Sequence, residues 1–308
     1  MASTAKDTDI DDLVTVRDWL RYATSRFSEA NLVFGHGTET ALDEAAFLIL
    51  TLLHLPVDQL EPWLEARLTR EERRKISAVL EERISSRKPA PYLVNTAWIK
   101  GRRFYVDERV IVPRSYIGEL LDDALSTVVS DPDGVESVLD LCTGSGCLAI
   151  LAALTFPEAA VDAVDISPGA LEVAERNVDS YGLADRVTLY RSDLFSGLAG
   201  KTYDLIISNP PYVTAAAVDA FPPEYKAEPQ LAHLGGEDGM DLVRRILTEA
   251  AAHLTPEGVL VVEVGMARDT LETEYPDLPF LWLDTEQSEG EVFALPAEAL
   301  KRIGRGSR

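Results

Sequence analysis

The feature that most restricts the fold lies near the middle of the chain. An apolar run, Ser137–Leu141, passes directly into Cys142-Thr143-Gly144-Ser145-Gly146-Cys147 and then into a second apolar run over 148–154. This order reads as strand, glycine loop, helix. Glycines let a backbone pass close to a ligand, and a helix N-terminus offers N–H groups with no partner inside the helix. Twenty-one residues after Gly144, Asp165 closes the next apolar run, where a carboxylate can accept both hydroxyls of a ribose. Gly144-x-Gly146-x-x-Ala149 also satisfies the loose dinucleotide fingerprint. A nucleoside-type ligand is favoured here over the competing reading, a structural tight turn.

The surroundings of the loop set the fold class. From Ser115 onward, helical patterns alternate with apolar strands at Ser137–Leu141, Ala160–Asp165, Val187–Arg191, Tyr203–Ser208 and 259–264. That alternation predicts a largely parallel sheet covered on both faces. Two further strands, 280–283 and 291–295, are too close for a crossover helix and are expected to be antiparallel. Upstream, 14–32, 41–55 and 69–86 carry apolar residues at helical spacing, and Thr69 with Glu72 reads as a capping box. The run Glu71-Glu72-Arg73-Arg74-Lys75 reads as a solvated helix face with local ion pairs. Pro89 and Pro91 end the helical pattern, and 92–100 with 104–112 are expected to be strands flanking Lys100-Gly101-Arg102-Arg103. The expected organisation is a helical domain over 1–90, a β-hairpin linker over 91–113 and an α/β domain over 114–308.

Composition narrows the partners. The chain has 308 residues and a formal charge of −23. Residues 1–95 contribute −4 and residues 96–308 contribute −19. General nucleic-acid binding needs the opposite sign. The longest apolar stretch, 46–55, is about half a membrane span, and 1–13 has the make-up of no export signal. Two cysteines and four scattered histidines form neither a disulfide framework nor a metal set. The expected location is cytoplasmic, without metal or membrane. Cys142 and Cys147 read as small apolar packing residues.

Three carboxylates fall at consecutive strand ends, where ligands of such sheets sit. Asp140 lies where a pyrophosphate would be repelled and a cationic sulfonium amino acid welcomed, which tilts the ligand from NAD towards S-adenosylmethionine. Asp165 faces the ribose. Asp193 can accept a hydrogen bond from an adenine amino group, with Leu194 or Phe195 against the ring. The next strand ends in Asn209-Pro210-Pro211-Tyr212, a tetrapeptide expected by chance in roughly one chain in a thousand. An amide nitrogen is a weak nucleophile because its lone pair is delocalised. The Asn209 side-chain oxygen and the Pro210 carbonyl can accept both hydrogens of an NH₂ group and orient its nitrogen, while Tyr212 can stack on the flat acceptor.

These motifs together resemble the class I S-adenosylmethionine-dependent protein-glutamine methyltransferases. The resemblance extends to the helical N-terminal part, the hairpin, Glu228-Pro229, Gly235-Gly236-Glu237-Asp238-Gly239 and Glu263-Val264-Gly265. It implies a Rossmann-like seven-stranded, mostly parallel sheet with an antiparallel C-terminal hairpin. It also implies that Asp140, Thr143, Gly144, Gly146, Asp165, Ile166, Asp193, Leu194 and Asn209 hold S-adenosylmethionine, which leaves as S-adenosylhomocysteine. Asn209, Pro210, Pro211 and Tyr212 would bind the substrate amide, with Asn209, Pro210 and Tyr212 catalytic. Val112-Pro113-Arg114-Ser115-Tyr116-Ile117-Gly118-Glu119 and Asp140-Leu141-Cys142-Thr143-Gly144 are similar to the branch that modifies the third large-subunit ribosomal protein, a basic substrate. The alternative branch acts on peptide-chain release factors. Enzymes with the same tetrapeptide that methylate DNA adenine, and a binding protein without activity, are further alternatives that the acidity and the complete site disfavour. The helical domain and the 98–105 hairpin are expected to recognise the protein substrate.

Overall fold

The computed structural model describes residues 12–303, so most of the segment read for an export signal lies outside the described residues. The chain groups into two units: one comprises residues up to Thr96 together with Pro222–Ala227, the other Ala97–Phe221 and the chain from Glu228 onward.

In the helical unit, α1 (Val16–Glu29), α2 (Ala41–Leu52), α3 (Arg70–Ser86) and the short α4 (Ala90–Leu93) carry the apolar spacing seen in the sequence. The capping box expected at Thr69 and Glu72 is present, and a second one, Thr15 with Asp18, opens α1. Glu71 and Lys75 pair at 2.8 Å across one turn, as a solvated helix face requires. The first two helices end earlier than their apolar patterns because Asn31 and His54 take left-handed backbone conformations. Trp19, Phe27, Leu48, Ile49, Ile76 and Leu80 fill the core. Beside it lies a buried ionic cluster. Arg83 bonds Glu44 at 2.7 Å, and Glu224, from the Pro222–Ala227 segment, accepts from the Val33 N–H at 3.1 Å and faces Arg87 at 3.2 Å.

The sheet unit opens with a hairpin, β1 (Ala97–Ile99) and β2 (Arg102–Phe104). This is shorter than the strands expected over 92–100 and 104–112. Residues 90–93 are a helical turn, with Pro91 near its start where the missing N–H is no loss. Past Phe104 the backbone bonds side chains instead of a partner strand: the Tyr105 N–H donates to Asn177 Oδ1 at 2.7 Å and the Arg109 N–H to Asp107 at 3.1 Å. Ile99 and Phe104 are buried in the core of the sheet unit, so the hairpin is part of that unit and not a separate linker.

Then follow α5 (Ile117–Asp122), β3 (Ser137–Leu141), α6 (Cys147–Thr155), β4 (Ala160–Asp165), α7 (Pro168–Ser180), β5 (Val187–Arg191) and β6 (Tyr203–Ser208). The chain continues through α8 (Ala215–Asp219), α9 (Asp241–Glu249), β7 (Leu254–Glu263), α10 (Arg268–Glu274), β8 (Leu281–Leu283), β9 (Val292–Pro296) and α11 (Ala297–Leu300). The seven strands lie in the order β5-β4-β3-β6-β7-β9-β8. The first five are mutually parallel, and β9 is antiparallel to both β7 and β8. Side chains of successive strand residues point to opposite faces, and each face meets helices. Val138, Leu205, Ile207 and Val261 enter one core with α6, while Leu139, Leu141, Ile206 and Leu260 enter the other with α9. Strand β7 begins before the expected residue 259: Leu254 pairs with Tyr203, and a register irregularity then brings Val259 opposite Leu205.

Candidate active site

A cavity of about 280 Å³ opens at the carboxyl ends of β3, β4, β5 and β6. Each strand supplies part of the wall in turn: Cys142 and Gly144 after β3, Asp165 and Ile166 from β4, Asp193 and Leu194 after β5, Asn209 and Pro211 after β6. A parallel sheet builds such a site because the four crossover connections all leave from the same edge.

The glycine loop owes its shape to three left-handed residues, Cys142, Gly144 and Gly146. A side chain at Gly146 would meet Ala174 of α7 at 3.1 Å, so glycine there permits close helix packing. At Gly144 nothing lies within 4 Å of an added Cβ, which leaves its backbone open towards the cavity. Cys142 accepts a conformation that L side chains resist, at a cost on the order of 1 kcal/mol. Its thiol is pushed far up by burial and by Asp165 and Asp140, and the Cys147 thiol to about 12 by burial. Both are thus held as thiols, in keeping with packing roles.

The carboxylates divide into two kinds. Asp165 accepts the Gly144 N–H and the Ser167 N–H, both at 2.9 Å, and lines the cavity; burial raises its pKa. Asp193 also lines it, held by Arg245 of α9 at 2.9 Å. Asp140 is different: it is fully buried and lies behind the loop. Its Oδ2 accepts from the Thr143 hydroxyl at 2.5 Å and the Ala149 N–H at 3.0 Å, while Oδ1 has no hydrogen-bond partner among the described residues. Burial pushes its pKa up to about 7, against the pull of those two hydrogen bonds. Asp140, Thr143 and Gly146 therefore shape the loop, whereas Gly144, Asp165, Ile166, Asp193, Leu194 and Asn209 form the wall.

Asn209 and Pro211 face the cavity, Pro210 is buried, and Tyr212 turns its hydroxyl to Glu263 at 3.2 Å. The loop is tightly framed by backbone. A Cβ on Gly235 would come within 2.7 Å of the Pro211 carbonyl, one on Gly239 would strike the Tyr212 carbonyl, and one on Gly265 would lie 2.8 Å from the Tyr212 ring. The glycines noted around 235–239 and 265 thus let neighbouring chain press against the tetrapeptide. Among the described residues, no group of His, Cys, Asp and Glu is arranged to hold a metal ion.

Several wall residues carried no signal in the sequence: Arg109, Val110 and Ile111 on one side, and Leu242 and Arg245 on the other. Leu242 and Arg245 are three apart on α9, a helical spacing that places them together but does not reveal the partner. Glu228 is the carboxylate behind Pro229. It accepts Arg114 through both oxygens, at 2.8 and 2.9 Å, and the Val112 N–H at 2.9 Å.

Sheet order, glycine loop and strand-end carboxylates define a class I methyltransferase. Residues 120–221 match the family model described as methyltransferase small domain. Much closer relatives span nearly the whole chain. Proteins from Bradyrhizobium diazoefficiens (56% identity), Burkholderia pseudomallei (54%) and Bordetella pertussis (54%) each align with 94% of it and with 92%, 96% and 97% of their own lengths. All three are called ribosomal protein uL3 glutamine methyltransferase, and the chain belongs to that family.

Proposed function

We propose that this protein transfers the methyl group of S-adenosylmethionine to the side-chain amide nitrogen of a glutamine in ribosomal protein uL3. The observation that carries the chemistry is the placement of Asn209 and Pro211 on the same cavity wall as Gly144, Asp165 and Asp193. The substrate follows from the relatives, which share more than half of the sequence over almost its full length.

The residues present fit this cofactor. Gly144 opens its backbone to the cavity, and Asp165 stands at the end of β4 where ribose hydroxyls need an acceptor. Among the described residues Asp140 Oδ1 has no hydrogen-bond partner, so in its ionised form this carboxylate supplies negative potential behind the loop. Asp193, Leu194 and Ile166 would border the base. When bound, S-adenosylmethionine supplies an electrophilic methyl on a positively charged sulfur.

The chain's own residues do the rest by positioning. The Asn209 side-chain oxygen and the Pro210 carbonyl accept the two amide hydrogens and aim the nitrogen lone pair into the cavity. Proline holds its carbonyl in a stiff loop and brings no competing N–H. As the nitrogen gains the methyl carbon it gains positive charge, and those two oxygens are already oriented to stabilise it. The S–C bonding pair would pass to sulfur as the N–C bond forms, and the methylated nitrogen then releases its extra proton to water. The helical unit and the exposed face of the hairpin around Trp98 are assigned to holding the protein substrate.

The test is direct. Purified protein is incubated with methyl-labelled S-adenosylmethionine and either uL3 or a peptide-chain release factor, and products are mapped by mass spectrometry. Label on a uL3 glutamine, lost in N209A, is expected; label confined to the release factor overturns the substrate assignment.

A further inference from the structure

Glu263, the last residue of β7, is 1% exposed yet has no ion pair among the described residues. A buried carboxylate without a cation is costly. Its bonds indicate what keeps it. Oε2 accepts two donors from the segment leading into α5, the Ser115 hydroxyl at 2.6 Å and the Tyr116 N–H at 2.9 Å. Oε1 takes the Tyr212 hydroxyl at 3.2 Å. Two residues further on, Gly265 lies flat against the Tyr212 ring. The end of β7 therefore grips the tyrosine at both its hydroxyl and its face.

We propose that Glu263 is a positioning residue for methyl transfer: anchored by Ser115 and Tyr116, it fixes the ring of Tyr212 and the direction of its O–H bond, and through them the pose of the acceptor amide. This rests on the reading of the tetrapeptide as the amide clamp. The direction of the O–H follows from proton counting. An ionised Glu263 can only accept, so the phenol donates to it and turns its lone pairs away. A protonated Glu263, with Oε2 already accepting twice, carries its proton on Oε1 and donates to the phenol, whose own proton then points elsewhere. Burial, with Glu291 nearby, pushes the Glu263 pKa up to about 7, so both states lie within the working pH range. The ionisable groups acting on this pair are Glu291, on the approach to β9, and Arg114, whose guanidinium is bonded to Glu228 and bears on Tyr212.

The variants E263Q, Y212F, S115A and the double E263Q/Y212F test this in the full chain. Glutamine keeps the acceptor for Ser115 and Tyr116 but presents an NH₂ to Tyr212, which reverses the hydrogen bond. For E263Q, kcat is expected to fall ~30-fold with the KM for S-adenosylmethionine within about twofold, since misplacing reacting groups by less than 1 Å acts at this scale. The double variant should be no slower than Y212F alone. S115A, which loosens the anchor without touching the tyrosine, should lower kcat about threefold on the same scale.

An activity-independent readout uses protein labelled with ¹³Cζ-tyrosine, its Tyr212 resonance identified by its loss in Y212F. That resonance should titrate with a midpoint near pH 7 and be static in E263Q. Independent losses in the double variant, or a Tyr212 signal indifferent to E263Q, overturn the proposal. A normal Tyr212 titration in protein that methylates no glutamine would instead point to failure of the underlying functional reading.

Discussion

In the helical unit, Glu44 and Glu224 are fully buried and each has an arginine beside it, Arg83 at 2.7 Å and Arg87 at 3.2 Å. In the sheet unit, Asp140 and Glu263 are buried as deeply, but their partners are hydroxyls and backbone N–H groups. The difference separates fastening from function. A paired charge holds chain together and is chemically quiet. A carboxylate left without a cation stores unfavourable energy that a positive ligand or a polarised neighbour can relieve. Under the proposed function, Asp140 lies behind the loop assigned to the cofactor and Glu263 behind the loop assigned to the amide, so the two carboxylates would back the two reactants.

The largest effect is expected from breaking a pair. R83M leaves Glu44 buried without its bonded arginine and should cost about 3–5 kcal/mol in denaturant unfolding at neutral pH. E44M/R83M, which removes both charges, should recover most of that loss. If R83M alone costs under about 1 kcal/mol, the cluster is not the fastener described, since removing one partner of a buried pair normally costs several times more.

The unpaired carboxylates should show the converse behaviour. Their folded pKa values, about 7, lie above the ordinary 3.8 and 4.5, so in that window the folded state holds protons that the unfolded chain has released. Stability contributed by the protonated groups is therefore complete below the ordinary values and lost as pH rises towards 7. A shift of this size corresponds to about 3 kcal/mol for Glu263. E263Q cannot ionise, so its stability should decline less between pH 4.5 and 7.5 and exceed the wild type at the alkaline end. Parallel curves for the two proteins would show that Glu263 is not perturbed as described.

Much of the frame for these contrasts is legible in the sequence. Ser137–Leu141, Ala160–Asp165, Val187–Arg191 and Tyr203–Ser208 are the strands their apolar runs suggest, because a strand buried on both faces has sharp polar boundaries. The antiparallel edge follows from the shortness of the connection between 283 and 291. Asp165, Asp193 and Asn209 are legible because strand ends of a parallel sheet converge. Pairings across long stretches are not. Nothing in the local sequence of Glu263 points to Ser115, 148 residues away, or in that of Arg114 to Glu228, 114 residues away. Asp140 illustrates the limit in a different way: its residue type and position suggest a ligand contact, while its side chain turns out to bind Thr143 and Ala149 behind the loop. Pattern gives the element and the face, but a side chain's partner depends on which donors the fold brings to it.

D140N sharpens the contrast at the cofactor. The amide oxygen can keep the Thr143 and Ala149 bonds, and its NH₂ replaces the partnerless Oδ1, so the fold is preserved while the negative potential is lost. Affinity for S-adenosylmethionine in calorimetry at pH 8 should fall ~30-fold, about 2 kcal/mol. Because a cation favours the ionised carboxylate, wild-type affinity should also rise from pH 5.5 to 7.5, and D140N should lose that slope. An unchanged affinity in D140N would make Asp140 a loop brace alone.

The smallest effect concerns charge that is not buried. The chain carries −23, most of it beyond residue 95, and the proposed substrate is a basic protein. Long-range attraction of this kind raises encounter rates more than it strengthens the docked complex, and salt screens it over about 8–10 Å. The KM for uL3 should therefore rise about fivefold between 50 and 300 mM salt while kcat holds steady, since the amide clamp works at bonding distance. The KM for S-adenosylmethionine should change less, because the Asp140 charge proposed to draw it is buried and weakly screened. A KM for uL3 independent of salt would reduce the surface acidity to a matter of solubility, and the part of charge in the proposed reaction would then rest with the carboxylates in and behind the cavity wall.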